Sequence, residues 1–167
     1  MTVRILQFGT TGQLARELLA QAKAFDVEIT ALSRAEADFG DPAAVVRQVK
    51  AAKADLVVVA AAYTAVDLAE SERELAFTVN AETPGAIAEA LGADGPALVQ
   101  VSTDYVFAGD KGAPYVESDE PAPMNVYGAS KLEGERRILA AAPRALILRT
   151  SWVVSRHGKN FVKTMLR

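Results

Sequence analysis

Cysteine is absent from the chain; histidine occurs once, at His157, and tryptophan once, at Trp152. Without cysteine there is neither a disulfide framework nor a thiolate metal site, and a lone histidine makes no metal site. The same absence fits a reducing cytoplasm, which is the expected compartment. No apolar run approaches the ~20 residues that a membrane span requires. The run that follows Met1-Thr2-Val3-Arg4 is short and lacks a cleavage signal, so no targeting segment is expected either. Blocks of one charge are missing too. The formal net charge is -3, which offers no basic field to nucleic acid or to anionic lipid. Repeats and low-complexity tracts do not occur.

What is present is the composition of one globular domain: 167 residues, 50% apolar and 23% charged. Short apolar runs at Val3–Phe8, Val27–Leu32, 55–61, 97–102 and 145–149 read as buried strands. Between them lie helical patterns. One covers 13–24, with Leu14, Leu18, Leu19 and Ala22 at helical spacing. Another opens at Asp41-Pro42, a cap followed by proline in the first helical position, and runs to about Lys53. A long one covers 72–91 with Pro84 inside it, where a kink or a division is expected. The pattern continues with a helix over 127–141 and a further one from Asn160 onward. Such alternation predicts an α/β fold: a doubly wound parallel sheet, Rossmann-like, with ligands at the carboxyl ends of its strands. The irregular stretch 104–125, rich in glycine, proline and acids, is long enough to be functional.

Gly9-Thr10-Thr11-Gly12-Gln13-Leu14-Ala15 joins the first strand to the first helix. Gly9 permits the tight turn, and Gly12 lets a pyrophosphate approach the helix amino end, where free N–H groups and the dipole favour anions. Ala15 supplies the small residue for close helix–strand packing. At the end of the second strand stand Ser33 and Arg34. Ser33 cannot repel a 2′-phosphate and Arg34 can pair with one, so NADPH is expected as the cofactor, with NADH also accepted.

Tyr127-Gly-Ala-Ser-Lys131 is a Y-x-x-x-K pair whose spacing puts both side chains on one helix face. A free phenol titrates near 10, and an ammonium one turn away is expected to lower that value. Ser102-Thr103-Asp104-Tyr105-Val106-Phe107 follows a buried strand, leaving the Thr103 hydroxyl at its carboxyl end, where it can orient a substrate carbonyl toward Tyr127. His157 reads as a loop residue, and Glu117, Asp119 and Glu120 as a solvated face, so no metal is expected.

These motifs resemble the extended short-chain dehydrogenase/reductase family throughout the chain. Ala60-Ala61-Ala62-Tyr63-Thr64-Ala65-Val66-Asp67, Asn125-Val126-Tyr127-Gly128 and Arg149-Thr150-Ser151-Trp152 are similar to its dTDP-4-dehydrorhamnose reductase subgroup in particular. The resemblance implies that Gly12, Gln13 and Leu14, with Gly9 and Thr11, lie along the cofactor pyrophosphate. It puts Asp38 and Phe39 near the adenine, and Ala62, Tyr63 and Thr64 along the nicotinamide half. Tyr127 is then the proton donor, and Lys131 its partner and the ribose anchor. Thr103, Asp104 and Trp152 face a dTDP-deoxysugar, unless Trp152 is simply a core anchor. The sequence departs from the subgroup at Tyr63, often histidine there, and at Val154, often tyrosine.

The implied reaction is reduction of a C4 keto group on that sugar. A nucleotide-sugar epimerase shares the glycine turn and the Y-x-x-x-K pair, and a non-catalytic NADP-binding regulatory subunit resembles the same subgroup. Residues 1–167 are expected to form the NAD(P)-binding domain, with the family's C-terminal substrate domain lacking. Ending at Met165-Leu166-Arg167 in an apolar helical pattern fits a cofactor-binding portion, and the assemblies left open include a homodimer.

Overall fold

The computed structural model describes residues 2–166; Met1 and Arg167 lie outside them. Strands β1 (Val3–Phe8), β2 (Val27–Leu32), β3 (Leu56–Val59), β4 (Ala97–Thr103) and β5 (Ala145–Thr150) form one sheet in the order β2-β1-β3-β4-β5. Every pairing is parallel. The order reverses beside β1, which is where doubly wound sheets open a ligand crevice. The α/β fold expected from the alternation is the one observed.

Helices α1 (Gln13–Gln21), α2 (Pro42–Ala51), α3 (Val66–Ala69), α4 (Arg73–Phe77), α5 (Thr83–Leu91), α6 (Val126–Ala141) and α7 (Phe161–Met165) complete the chain. On one face of the sheet α2, α5 and α6 pack in a row. The core lies beneath them: Leu6, Phe8, Val57, Val59 and Leu98 from the strands meet Val45, Val49, Ile87 and Ile138 from the helices. Gln7 alternates with Leu6 and Phe8, and so faces the other way. Its amide donates to the Gly9 and Ala15 carbonyls, tying β1 to α1 across the opposite face.

Several boundaries differ from the periodic pattern for physical reasons. The pattern predicts a helix over 13–24, yet α1 stops at Gln21 and a 3-10 turn, Ala22–Phe25, ends on left-handed Asp26. The 72–91 stretch is divided, as Pro84 requires, through a wide π turn at Thr78–Glu82. Pro84 has no N–H to give the Asn80 carbonyl, so the helix cannot continue in register. The short α3 carries no periodic signal at all. Helix α6 starts one residue before Tyr127, because the Asn125 side chain caps it by accepting from Gly128 N at 2.7 Å.

The irregular stretch after β4 is more ordered than its composition implies. It begins with a 3-10 turn, Asp104–Val106. The Tyr115 hydroxyl then accepts from the Gly109 and Asp110 amides at 2.9 and 3.1 Å, and its ring stacks on Phe107 at 4.2 Å. Asp119, expected to be solvated, is paired with Lys111 at 2.6 Å. His157 is half-buried against α1 rather than free in solvent, with Nε2 3.8 Å from Glu17.

Candidate active site

Two adjoining clefts open at the carboxyl ends of the strands. The first, of about 800 Å³, runs from the Gly9–Gly12 turn past the end of β2 to the stretch after β3. Gly9, Thr11, Gly12, Ser33, Arg34, Asp38, Phe39, Ala62, Tyr63 and Thr64 line it. The second, of about 510 Å³, shares Thr11, Gly12, Ala62 and Thr64 and adds Gln13, Leu14, Thr103, Asp104, Tyr127, Lys131 and Trp152. Every candidate residue therefore borders one continuous crevice.

The glycine turn is shaped by its neighbours. Gly9 has φ +104, and a Cβ there would press on the Ala60 and Ala61 backbone at 3.3 Å, so two strand ends meet over a residue that must lack a side chain. Gly12 differs: its φ is -65 and a Cβ would meet no protein atom within 4 Å. What a side chain at Gly12 would fill is the crevice itself. Helix α1 carries no side-chain cap at its amino end, which leaves its first N–H groups to an anion in the crevice. These residues fit a dinucleotide pyrophosphate.

At the end of β2 the geometry is less cationic than Ser33 and Arg34 suggest. Glu36, which sequence reading misses, folds back and accepts from Ser33 N at 2.9 Å and from Ser33 Oγ at 2.7 Å. Those bonds, the hydroxyl's first, hold its carboxyl below the usual value. Arg34 is 82% exposed in its side chain and lies 3.5 Å from Asp38. Phe39 borders the crevice but is 5% exposed, packed edge-on against Phe8 at 5.4 Å. Tyr63 turns its hydroxyl to Glu72 at 2.8 Å. The Tyr63 backbone is gripped from both sides by the buried Asn80 amide, at 2.9 and 3.0 Å.

Helix α6 carries the Tyr127–Lys131 pair. Lys131 is 3% exposed and its Nζ donates to the Val101 carbonyl at 2.7 Å. Burial brings its pKa down to about 8, opposed by the nearby Glu135 charge. Tyr127 corrects an expectation. Its pKa is raised, first by burial and further by the Asp104 charge, while the Thr103 hydroxyl pulls it down; Lys131 is not among the causes. Tyr127 thus stays a phenol at neutral pH, with a proton to give.

Around the pair lies a buried network that sequence reading misses. Glu135, one turn beyond Lys131 and 3% exposed, accepts from the Ser102 hydroxyl and from Arg149, whose Nη2 is 2.6 Å away. The Asn80 amide also donates to Ser130 Oγ at 3.0 Å, joining the π turn to α6. The spacing of Glu135 from Lys131 is a usable signal; the partners of Asn80 and Glu135 are not.

Thr103 ends β4 as expected. Its hydroxyl accepts from Tyr105 N at 3.2 Å and donates to Asp104 at 3.1 Å, so it caps the 3-10 turn beside the phenol. Asp104 in turn accepts from Ser151 Oγ at 2.7 Å. Trp152 is not a core anchor. It is 73% exposed, at φ +51, with its ring edge-on to Phe161 at 5.0 Å. A bulky residue in left-handed backbone is unusual. Among the described residues no His, Asp or Glu cluster could hold a metal ion, and no helix is long and apolar enough to cross a membrane.

The chain is 49% identical over 165 residues to the dTDP-4-dehydrorhamnose reductase of Sinorhizobium fredii, covering 99% of this chain and 55% of that one. It is 45% identical over 171 residues to the enzyme of that name from Escherichia coli, covering 99% of this chain and 56% of that one. The chain spans about half the length of these curated relatives. The crystal structure of the Bacillus anthracis dTDP-4-dehydrorhamnose reductase in complex with NADP superposes with a TM-score of 0.93 at 38% identity, over 99% of this chain and 59% of that one. The family described as the RmlD substrate binding domain matches residues 3–167, and the chain belongs to that family.

Proposed function

We propose that residues 1–167 form the NAD(P)-binding part of a dTDP-4-dehydrorhamnose reductase, which reduces the C4 keto group of dTDP-4-dehydro-L-rhamnose to dTDP-L-rhamnose. NADPH is the favoured cofactor and NADH a second one. The observation that carries this reading is the meeting of the Gly12 cradle with Tyr127, Lys131 and Thr103 in one crevice. The likeness to reductases, one of them bound to NADP, supports it. The sugar nucleotide's remaining contacts belong to the part of the relatives that this chain does not match.

A dinucleotide, when bound, would supply the hydride for C4. The chain's own residues do the rest. The amino end of α1 receives the pyrophosphate. Lys131, anchored to the Val101 carbonyl, would hold the ribose of a bound dinucleotide with its remaining N–H donors. Tyr127 holds its proton at Oη, because burial keeps it a phenol, and gives it to the carbonyl oxygen as charge develops there. Thr103 retains a hydroxyl lone pair and, by turning its hydrogen from Asp104, can orient that oxygen.

The test joins this chain to the C-terminal part of the Sinorhizobium fredii relative and follows NADPH oxidation with the keto sugar. Tyr127→Phe should lower turnover by ~10²–10⁴-fold, with NADPH affinity changed by less than about threefold. The 167-residue chain alone should show no measurable turnover. Activity of the Phe variant within about threefold of the parent would remove Tyr127 from the proton-donor role.

A further inference from the structure

The Gln13 side chain, which the proposed chemistry does not use, spans from α1 to the loop that carries Trp152. Its Nε2 donates to the Val153 carbonyl at 3.2 Å. Its Oε1 accepts from Ser155 N at 3.0 Å and from Asn160 Nδ2 at 2.9 Å. Gly158 lies so close that a Cβ there would touch Gln13 Cγ at 3.3 Å. One turn further along α1, Glu17 stands 3.9 Å from Arg156 and 3.8 Å from His157. Asn160 completes the latch by donating to the Ser155 carbonyl at 2.8 Å and accepting from Lys163 N at 3.1 Å.

The loop is tied by polar contacts, among them Ser151 Oγ, which donates to Asp104 at 2.7 Å, and Lys163 Nζ, which donates to the Arg156 and Gly158 carbonyls. Trp152, Val153, Val154 and Phe161 are each about half exposed or more, so apolar burial contributes little to its position. Yet Trp152 sits at φ +51, a conformation that persists only where surrounding contacts impose it. Trp152 is flanked by such contacts: Ser151 is bonded to Asp104 on one side, and on the other the Gln13 carboxamide makes three hydrogen bonds, to Val153, Ser155 and Asn160. Gln13 is also the first residue of α1, directly after Gly12. An anion seated at that amino end restricts the backbone from which this carboxamide projects.

We propose that Gln13 is a positioning residue that couples the two clefts: a pyrophosphate on the Gly9–Gly12 turn steadies the Trp152 loop through the Gln13 carboxamide. The coupling rests on the dinucleotide reading above. It is reciprocal, so a ligand that packs on Trp152 tightens dinucleotide binding by the same factor. A merely structural latch would hold the loop equally with and without the dinucleotide.

Trp152 is the sole tryptophan, so its emission reports this loop alone. The experiment measures acrylamide quenching of Trp152 in the 167-residue chain with and without saturating NADP⁺, and NADP⁺ binding by calorimetry. In the wild type NADP⁺ should lower the quenching constant about twofold, as restricted loop motion requires. Gln13→Ala should raise quenching without ligand and abolish the NADP⁺ response, read at NADP⁺ concentrations that calorimetry shows to saturate that variant. Asn160→Ala, whose side chain lies outside both clefts, should weaken the response and serves if the first variant does not fold. A wild-type response that survives in both variants overturns the proposal. Binding without a change in quenching overturns the coupling and leaves the dinucleotide reading standing. Absence of NADP⁺ binding overturns both.

Discussion

Glu36 and Ser33 form a closed turn at the end of β2, with one carboxylate oxygen receiving both the Ser33 amide, at 2.9 Å, and its hydroxyl, at 2.7 Å. This places an acid where doubly wound folds discriminate the adenosine ribose. A ribose 2′-hydroxyl can donate to such a carboxylate, whereas a 2′-phosphate is repelled by it. Arg34 acts in the opposite direction, although Asp38, 3.5 Å away, shares it. The preference for NADPH should therefore be modest. Glu36→Gln should raise the NADPH:NADH affinity ratio, and Arg34→Ala should lower it, each by about three- to tenfold for so exposed a pair. Titration of both cofactors into both variants checks this; a ratio unchanged in Arg34→Ala would remove the arginine from recognition.

Lys131 makes dinucleotide binding depend on pH. Burial lowers its pKa to about 8, so the ammonium proposed to hold the ribose is lost as pH rises through that value. Affinity for NADP⁺ should fall between pH 7 and 9, while Lys131→Met should bind more weakly with a flatter profile; calorimetry across that range checks both. The stability linkage has the opposite sign. The folded pKa lies below the unfolded value of 10.5, so between about 8 and 10.5 the unfolded chain binds more protons. The cost of burying this lysine is full below pH 8 and is relieved as pH rises through that window. Glu135, buried beside it, moderates the cost.

Gly134 lets α6 lie directly on the π turn. A Cβ at this position would fall inside van der Waals contact with the Asn80 carbonyl oxygen, which is backbone and cannot rotate away. Gly134→Ala should therefore destabilise the protein by about 1–3 kcal/mol, lowering the melting temperature by roughly 3–10 °C. It should also disturb the Asn80 grip on Tyr63. A melting temperature within about one degree of wild type would contradict so tight a contact.

Among the described residues, the sheet face opposite the core leaves apolar side chains of β5 exposed. Leu146 and Leu148 on β5 are 53% and 42% exposed, and register places them beside Val99 and Val101 of β4. An apolar patch of this kind favours association. The 167-residue chain should show concentration-dependent self-association by analytical ultracentrifugation. Leu146→Lys with Leu148→Lys should abolish it, whereas association unchanged in the double variant would place the contact elsewhere.

What was legible in the sequence was local. The strands, the Gly9–Gly12 turn and the Tyr127–Lys131 pair are patterns of adjacent residues, and each stands at a strand or helix end as its pattern requires. Pro84 announced a division in its helix but not the π turn, which depends on where the freed Asn80 carbonyl packs. Glu135 meets Ser102 and Arg149, and Asn80 meets Tyr63 and Ser130, across 14 to 50 positions of chain. No periodicity carries such pairings. The sign of the Tyr127 shift was hidden for the same reason: burial by the surrounding fold outweighs the charge one turn away.

The account turns on a dinucleotide seated against Gly12. That residue is in extended backbone open to any residue, at φ -65 and ψ 161, and a side chain on it would meet no protein atom within 4 Å, so Gly12→Val should leave the fold intact and fill the cradle. The deciding measurement is an NADPH titration of the wild-type chain and of Gly12→Val, with the melting temperature of each recorded without ligand. The account predicts saturable binding to the wild type and, at an unchanged melting temperature, affinity at least about tenfold weaker in the variant, or roughly 1.4 kcal/mol. Equal affinity in the two proteins would contradict it.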